Sequence, residues 1–162
     1  MQRFITIILF LITVLTVRTA EDFTPHEQQQ ISIETPGLFA HSNTFQVDFS
    51  QYKKDKFSFP LPVGKVEDVN SYEIEIETKK GDAVKAMFDG TIRLSRRSST
   101  HGNVIVVRHH NGLETVYGHN AQNLVRVGDQ VKAGQTIAIV GGTAGRVYCL
   151  FSIMVNGRRI NP

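Results

Sequence analysis

The run Gly102-Asn103-Val104-Ile105-Val106-Val107-Arg108-His109-His110-Asn111-Gly112-Leu113-Glu114-Thr115-Val116-Tyr117-Gly118-His119 decides the fold. Val104 to Val107 is β-branched without interruption. Two heavy substituents on Cβ restrict χ1 and favour a pleated strand over a helix. Asn111-Gly112 is the dipeptide that tolerates positive φ at both centres of a primed two-residue turn, so Leu113 to His119 is expected to return antiparallel. That turn sets a register in which His110 faces Leu113 and Val104 faces His119. It also makes His109 and His110 exposed hairpin histidines.

The same grammar extends outward. Tyr72, Ile74 and Ile76 alternate with Glu73, Glu75 and Glu77, which gives a strand one apolar and one acidic face. Gln135–Val140 and Phe151–Val155 read as later strands, and Gly141-Gly142 and Gly145 as turns. Phe59-Pro60-Leu61-Pro62 is stiff and extended, because proline fixes its own φ and restricts the residue before it. No helix with convincing caps is found after residue 57. Gly81-Asp82-Ala83-Val84-Lys85-Ala86 recurs 47 residues later as Gly128-Asp129-Gln130-Val131-Lys132-Ala133, and each copy runs into a turn glycine and a strand. This is an internally duplicated β unit. Biotinyl and lipoyl carriers share the local pattern, but Lys85 and Lys132 lack the hairpin-tip context of a modified lysine.

The N-terminus differs. Arg3 precedes an apolar run from Phe4 to Val17, 14 residues long, followed by Glu21 and Asp22. This reads as an export signal over residues 1–20, since a spanning helix needs about 20 apolar residues. An uncleaved anchor is the alternative, and only that would bring membrane contact. Residues 21–58 form an extended arm or lead-in, with a strand expected within 44–49 where Phe45, Val47 and Phe49 alternate with polar residues. Residues 59–162 form the domain proper. The charge is split: residues 21–89 carry 7 Lys and Arg against 13 Asp and Glu, and residues 90–162 carry 9 against 2. Either the halves attract each other within one fold, or a basic face meets an anionic wall polymer or an acidic partner. The near-neutral mature sum gives a nucleic-acid role no support. Cys149 is the only cysteine, which excludes an internal disulfide and a Cys-rich zinc site; it reads as a small buried hydrophobe.

From Phe59-Pro60-Leu61-Pro62-Val63-Gly64-Lys65-Val66, through the two Gly-Asp repeats and the run ending at Tyr117-Gly118-His119, to Val155-Asn156-Gly157-Arg158-Arg159-Ile160-Asn161-Pro162, the chain resembles the LytM/lysostaphin-type metallopeptidase domain. The resemblance implies an all-β, LytM-like duplicated hybrid motif: an antiparallel β-sandwich or open barrel with a groove. Members of that family cleave peptidoglycan cross-bridges with a zinc held by an H-x-x-x-D motif and the second His of an H-x-H motif. Catalytic zinc takes three protein ligands and leaves a position for water. Here the first motif holds Ser71 and Glu75, and the second holds Tyr148 and Leu150. Of the assisting histidines only His119 is kept. His26, His41 and His101 sit in loop-like contexts without ligand spacing.

These substitutions imply that the family's zinc is lost and that no cofactor replaces it. No catalytic residue is assigned, and Ser71, Glu75, His119, Tyr148 and Leu150 are the expected remnant groove. The implied function is an exported, periplasmic or envelope pseudo-peptidase. It would bind peptidoglycan peptide, or dock on a cell-wall hydrolase or another envelope protein and regulate it. Two alternatives remain: an active zinc endopeptidase with altered ligands, and a structural subunit of an envelope complex.

Overall fold

A computed structural model of the protein describes residues 24–26, 53–61, 63–70, 72–109, 113–155 and 157–160. The expected signal segment and the strand within 44–49 lie outside the described residues. Ten strands follow in chain order: β1 (Lys65–Asn70), β2 (Glu73–Glu77), β3 (Ala83–Lys85), β4 (Gly90–Ser98), β5 (Gly102–His109), β6 (Leu113–Asn123), β7 (Gln130–Val131), β8 (Thr136–Val140), β9 (Tyr148–Val155) and β10 (Arg158–Ile160). All pairings are antiparallel, and the main path across the sheet is β1-β2-β9-β6-β5-β4-β7. β10 adds to β9, and β8 joins β3 to β6. The protein is nearly all β, and no helix among the described residues is long and apolar enough to cross a membrane.

The duplication is visible in the backbone. Gly81 and Gly128 have φ of 91° and 93°. Asp82 N–H donates to Lys79 O, and Asp129 N–H to Arg126 O. The carboxylates of Asp82 and Asp129 accept in turn from Lys79 N and Arg126 N, so each turn is closed from both sides. Val84 and Val131 are both buried. Each copy then pairs with the strand that follows the other copy: Val84 opposite Ala138, Val131 opposite Gly90. The exchange makes the two units mutually dependent.

Side-chain alternation separates two faces. Ile76, Ile105, Val107, Tyr117, Cys149, Phe151 and Ile153 point into the main core with Val84, Ile92 and Ile137. The opposite face carries Glu75 and Glu77 on β2 and Tyr148 and Leu150 on β9. Further along the same face, Leu94, Val104, Val106, Val116 and Met154 form a second buried cluster. Cys149 is fully buried, and burial pushes its thiol up to about 12, as expected of a packing residue rather than a nucleophile.

The hairpin register differs from the one expected. β5 and β6 pair Ile105 with Tyr117, Val107 with Thr115 and Arg108 with Glu114, so three residues, 110–112, join strands that end at His109 and begin at Leu113. The turn dipeptide is a local signal, whereas the register follows burial: a slip of one residue would move Tyr117 and Thr115 off the core face. His109 is accordingly buried, not exposed. Its ring packs edge-on against Phe88, its Nδ1 meets Asp89 O at 2.9 Å and its Nε2 meets Thr115 Oγ1 at 2.8 Å. A carbonyl only accepts, so Nδ1 carries the proton. His110 lies outside the described residues.

Candidate functional site

The groove begins where β6 changes partner. Up to Gly118, which faces Leu150, β6 pairs with β9; from Asn120, which faces Val140, it pairs with β8. His119 falls between the two. It is the one described non-glycine residue with positive φ, at 57°. Left-handed backbone costs an L residue on the order of 1–2 kcal/mol and persists only where neighbours enforce it. Here His119 N–H donates to His101 O and Gly142 N–H donates to His119 O, both at 2.7 Å. Gly141 makes the approach feasible, since a Cβ there would lie 2.4 Å from His119 O. The kink falls where β6 leaves β9 for β8, and the imidazole lies beside the rings of His101 and Tyr148.

Strand register then gathers the other expected residues. Glu75 lies directly opposite Leu150, and Glu77 opposite Tyr148. Cross-strand partners on one face have Cβ atoms within about 5.5 Å. The His119 ring sits 5.2 Å from the Tyr148 ring and 6.0 Å from that of His101. Thus Glu75, His119, Tyr148 and Leu150 form one constellation. Ser71 lies outside the described residues.

Two members were not anticipated. His101, read from sequence as a loop residue without a role, is buried at the groove's end. Its Nε2 lies 3.1 Å from Glu73 Oε1, which also accepts from Arg159 Nη1, and its Nδ1 lies 2.8 Å from Thr100 Oγ1. Arg146 reaches back over the strands. Its Nη1 is 2.7 Å from Glu75 Oε2, its Nε and Nη2 are 2.9 and 2.7 Å from Glu77 Oε1, and its Nη2 is 3.2 Å from Glu67 Oε2. Its guanidinium carbon lies 5.2 Å from the centre of the Tyr148 ring, within cation–π range. The signal for Arg146 was the charge split: a cation from the basic half meets three carboxylates of the acidic half. Arg159–Glu73 repeats the pattern, so attraction between the halves accounts for part of that asymmetry.

Electrostatics follow from the packing. Burial holds the His119 imidazole below its usual range, and nearby His101 adds to this, while Glu75 and Glu73 act the other way. No hydrogen bond is made by the His119 ring nitrogens among the described residues, whereas Tyr148 Oη is 3.2 Å from Thr143 Oγ1. The donor set does not suit zinc. Leu150 has no donor atom, and the Glu75 carboxylate is taken by Arg146. No group of three or more His, Cys, Asp or Glu that could hold a metal occurs among the described residues.

The family model described as Peptidase family M23 matches residues 70–162. The chain belongs to peptidase family M23. Relatives of this M23 chain include the murein hydrolase activator EnvC of Escherichia coli, 43% identical over 89 residues, which span 54% of this chain and 21% of EnvC. The peptidoglycan DD-endopeptidase ShyC of Vibrio cholerae is 39% identical over 85 residues, 51% of this chain and 19% of ShyC. The catalytic domain of lysostaphin from Staphylococcus simulans superposes with a TM-score of 0.51 at 32% identity, covering 67% of this chain and 84% of that domain. The match thus spans about a fifth of each of these two curated relatives. One is an activator and the other an endopeptidase, so family membership leaves the activity to be argued from the site.

Proposed function

We propose that this M23 domain works without its own peptidase chemistry, as an exported envelope protein that docks on a cell-wall hydrolase and regulates it. One observation carries the reading. Glu75 is paired with Arg146, the Tyr148 ring lies against the same guanidinium, and Leu150 is buried and carries no donor atom, so these three positions offer little to a metal. A groove kept in shape while its donors are replaced suits binding better than hydrolysis. His119 supports this: strained backbone concentrates at functional sites, and no described residue hydrogen-bonds its ring nitrogens. The activator among the relatives supports the same reading.

The test is release of dye from labelled peptidoglycan by the full chain, alone and with a purified amidase from the same envelope. The chain alone should release nothing above buffer, and the amidase should run faster with it. His119→Asn should weaken that stimulation. Release by the chain alone that a chelator abolishes would replace this reading with the altered-ligand peptidase.

A further inference from the structure

The acidic strands of the groove contain an arrangement that is unfavourable by itself. Glu67 on β1 lies directly opposite Glu75 on β2, and Glu77 follows on the same face. Like charges facing each other across an antiparallel pair destabilise it. Lys65 offsets Glu67 in part, at 2.7 Å. The larger compensation comes from Arg146, whose three guanidinium nitrogens reach Glu67, Glu75 and Glu77 together. A rigid planar fork with several donors is suited to holding carboxylates at fixed relative positions, which a point charge on a flexible stem is not. Arg146 also lies against the ring of Tyr148, and the Tyr148 hydroxyl meets Thr143 at the other end of the same turn. That turn is anchored by Gly142, Thr143 and Arg146: Thr143 and Arg146 exchange both backbone hydrogen bonds, and Gly142 N–H donates to His119 O.

We infer that Arg146 is the groove's resident cation, a side chain that takes over the electrostatic role of the family's metal and keeps a divalent cation off Glu75. The carboxylate that falls at the family's Asp ligand position is held in place by Arg146, so its counter-charge is covalently part of the chain. The groove therefore keeps its shape without metal supply. Strand β2, the 143–146 turn and the Tyr148 ring are held as one unit beside His119. The ion pairs and the strand register carry this inference without reference to a partner, and zinc binding is read with none present, so its failure and that of the regulatory reading are separable.

The experiment is zinc titration of the chelator-treated full chain by calorimetry, with thermal unfolding followed in parallel. The proteins are wild type, Arg146→Gln, Arg146→Lys and the double variant Arg146→Gln/Glu75→Gln. Arg146→Gln removes the charge at similar length and leaves Glu67, Glu75 and Glu77, the carboxylates that the guanidinium now occupies, without their shared counter-charge. It should gain at least about tenfold in zinc affinity and show a zinc-dependent rise in unfolding temperature, as ligand linkage requires. Arg146→Lys keeps a charge and should bind zinc no better than wild type. Adding Glu75→Gln should abolish the gain. If Arg146→Gln does not fold alone, zinc should refold it, and failure to do so counts against the inference. It is overturned if Arg146→Gln binds zinc no better than wild type, or if the gain survives Glu75→Gln.

Discussion

The backbone N–H of His119 donates to the carbonyl of His101 at 2.7 Å, and their imidazoles lie 6.0 Å apart. One hydrogen bond therefore joins the kink in β6 to the turn that starts β5. The link fixes a residue whose backbone is costly, at φ 57°. Asparagine tolerates this region better than most residues, while a β-branched side chain does not. His119→Asn should change unfolding free energy by no more than about 1 kcal/mol, whereas His119→Val should cost about 2 kcal/mol more than Asn. Urea denaturation of the two variants checks this. Equal midpoints would mean that the conformation is not enforced.

The same imidazole makes stability depend on pH. Burial, then His101, lowers its folded pKa. The unfolded chain thus takes up this proton first as pH falls. The stabilisation is present in full above the unfolded value of about 6.5 and is lost as pH falls through it towards the folded value. Urea midpoints should decline on acidification from about 7.5 to about 5.5, and less steeply in His119→Asn. Matching slopes in both proteins would assign the decline to other groups.

The duplicated turns predict paired costs. A Cβ at Gly81 or Gly128 would meet nothing within 4 Å, so the only penalty is the positive φ. Gly81→Ala and Gly128→Ala should each cost about 1 kcal/mol. Gly141 is the reverse case: its φ is ordinary, but a Cβ would lie 2.4 Å from His119 O and 2.6 Å from Ala121 N. Neither backbone atom can yield without moving the kink, so Gly141→Ala should cost about 3 kcal/mol or more. It should also shift the His119 ring resonances in NMR spectra, which the other two variants should leave in place.

How much of this was legible depends on range. The Glu73–Glu77 alternation and the two Gly-Asp turns are local, and strand period and turn chemistry appear at those positions as expected. The β5–β6 register did not follow from Asn111-Gly112, because it is fixed by which side chains reach the core: Tyr117 and Thr115 must face inward, and His109 goes with them. His101 and Arg146 were missed because their partners are remote. Glu73 lies 28 positions from His101, and Glu77 lies 69 from Arg146. Only the sheet order, which inserts β9 between β2 and β6, brings these residues together. A family's motif positions say where its own ligands would be, and they do not identify a substitute arriving from a neighbouring turn.

Tyr117 offers the sharpest test of the core. It is fully buried, and its hydroxyl accepts from Met87 N–H at 2.8 Å and lies 2.9 Å from Thr115 Oγ1, which in turn meets His109. This chain of contacts ties the residues before β4 to the middle of β6 and the end of β5. Tyr117→Phe keeps the ring and its packing against Phe151 but leaves a buried N–H and a buried hydroxyl short of a partner. Each such loss costs about 1–3 kcal/mol, so the variant should lose about 2 kcal/mol or more in urea denaturation. Tyr148→Phe loses only the longer contact to Thr143 at 3.2 Å and should stay within about 1 kcal/mol of wild type. Because Tyr117 faces the core and Tyr148 the groove, stimulation of a hydrolase should follow the opposite order, unaffected by Tyr117→Phe below its unfolding temperature and weakened by Tyr148→Phe. Loss of stability in both variants to the same extent would mean that the buried network is not what distinguishes the two faces.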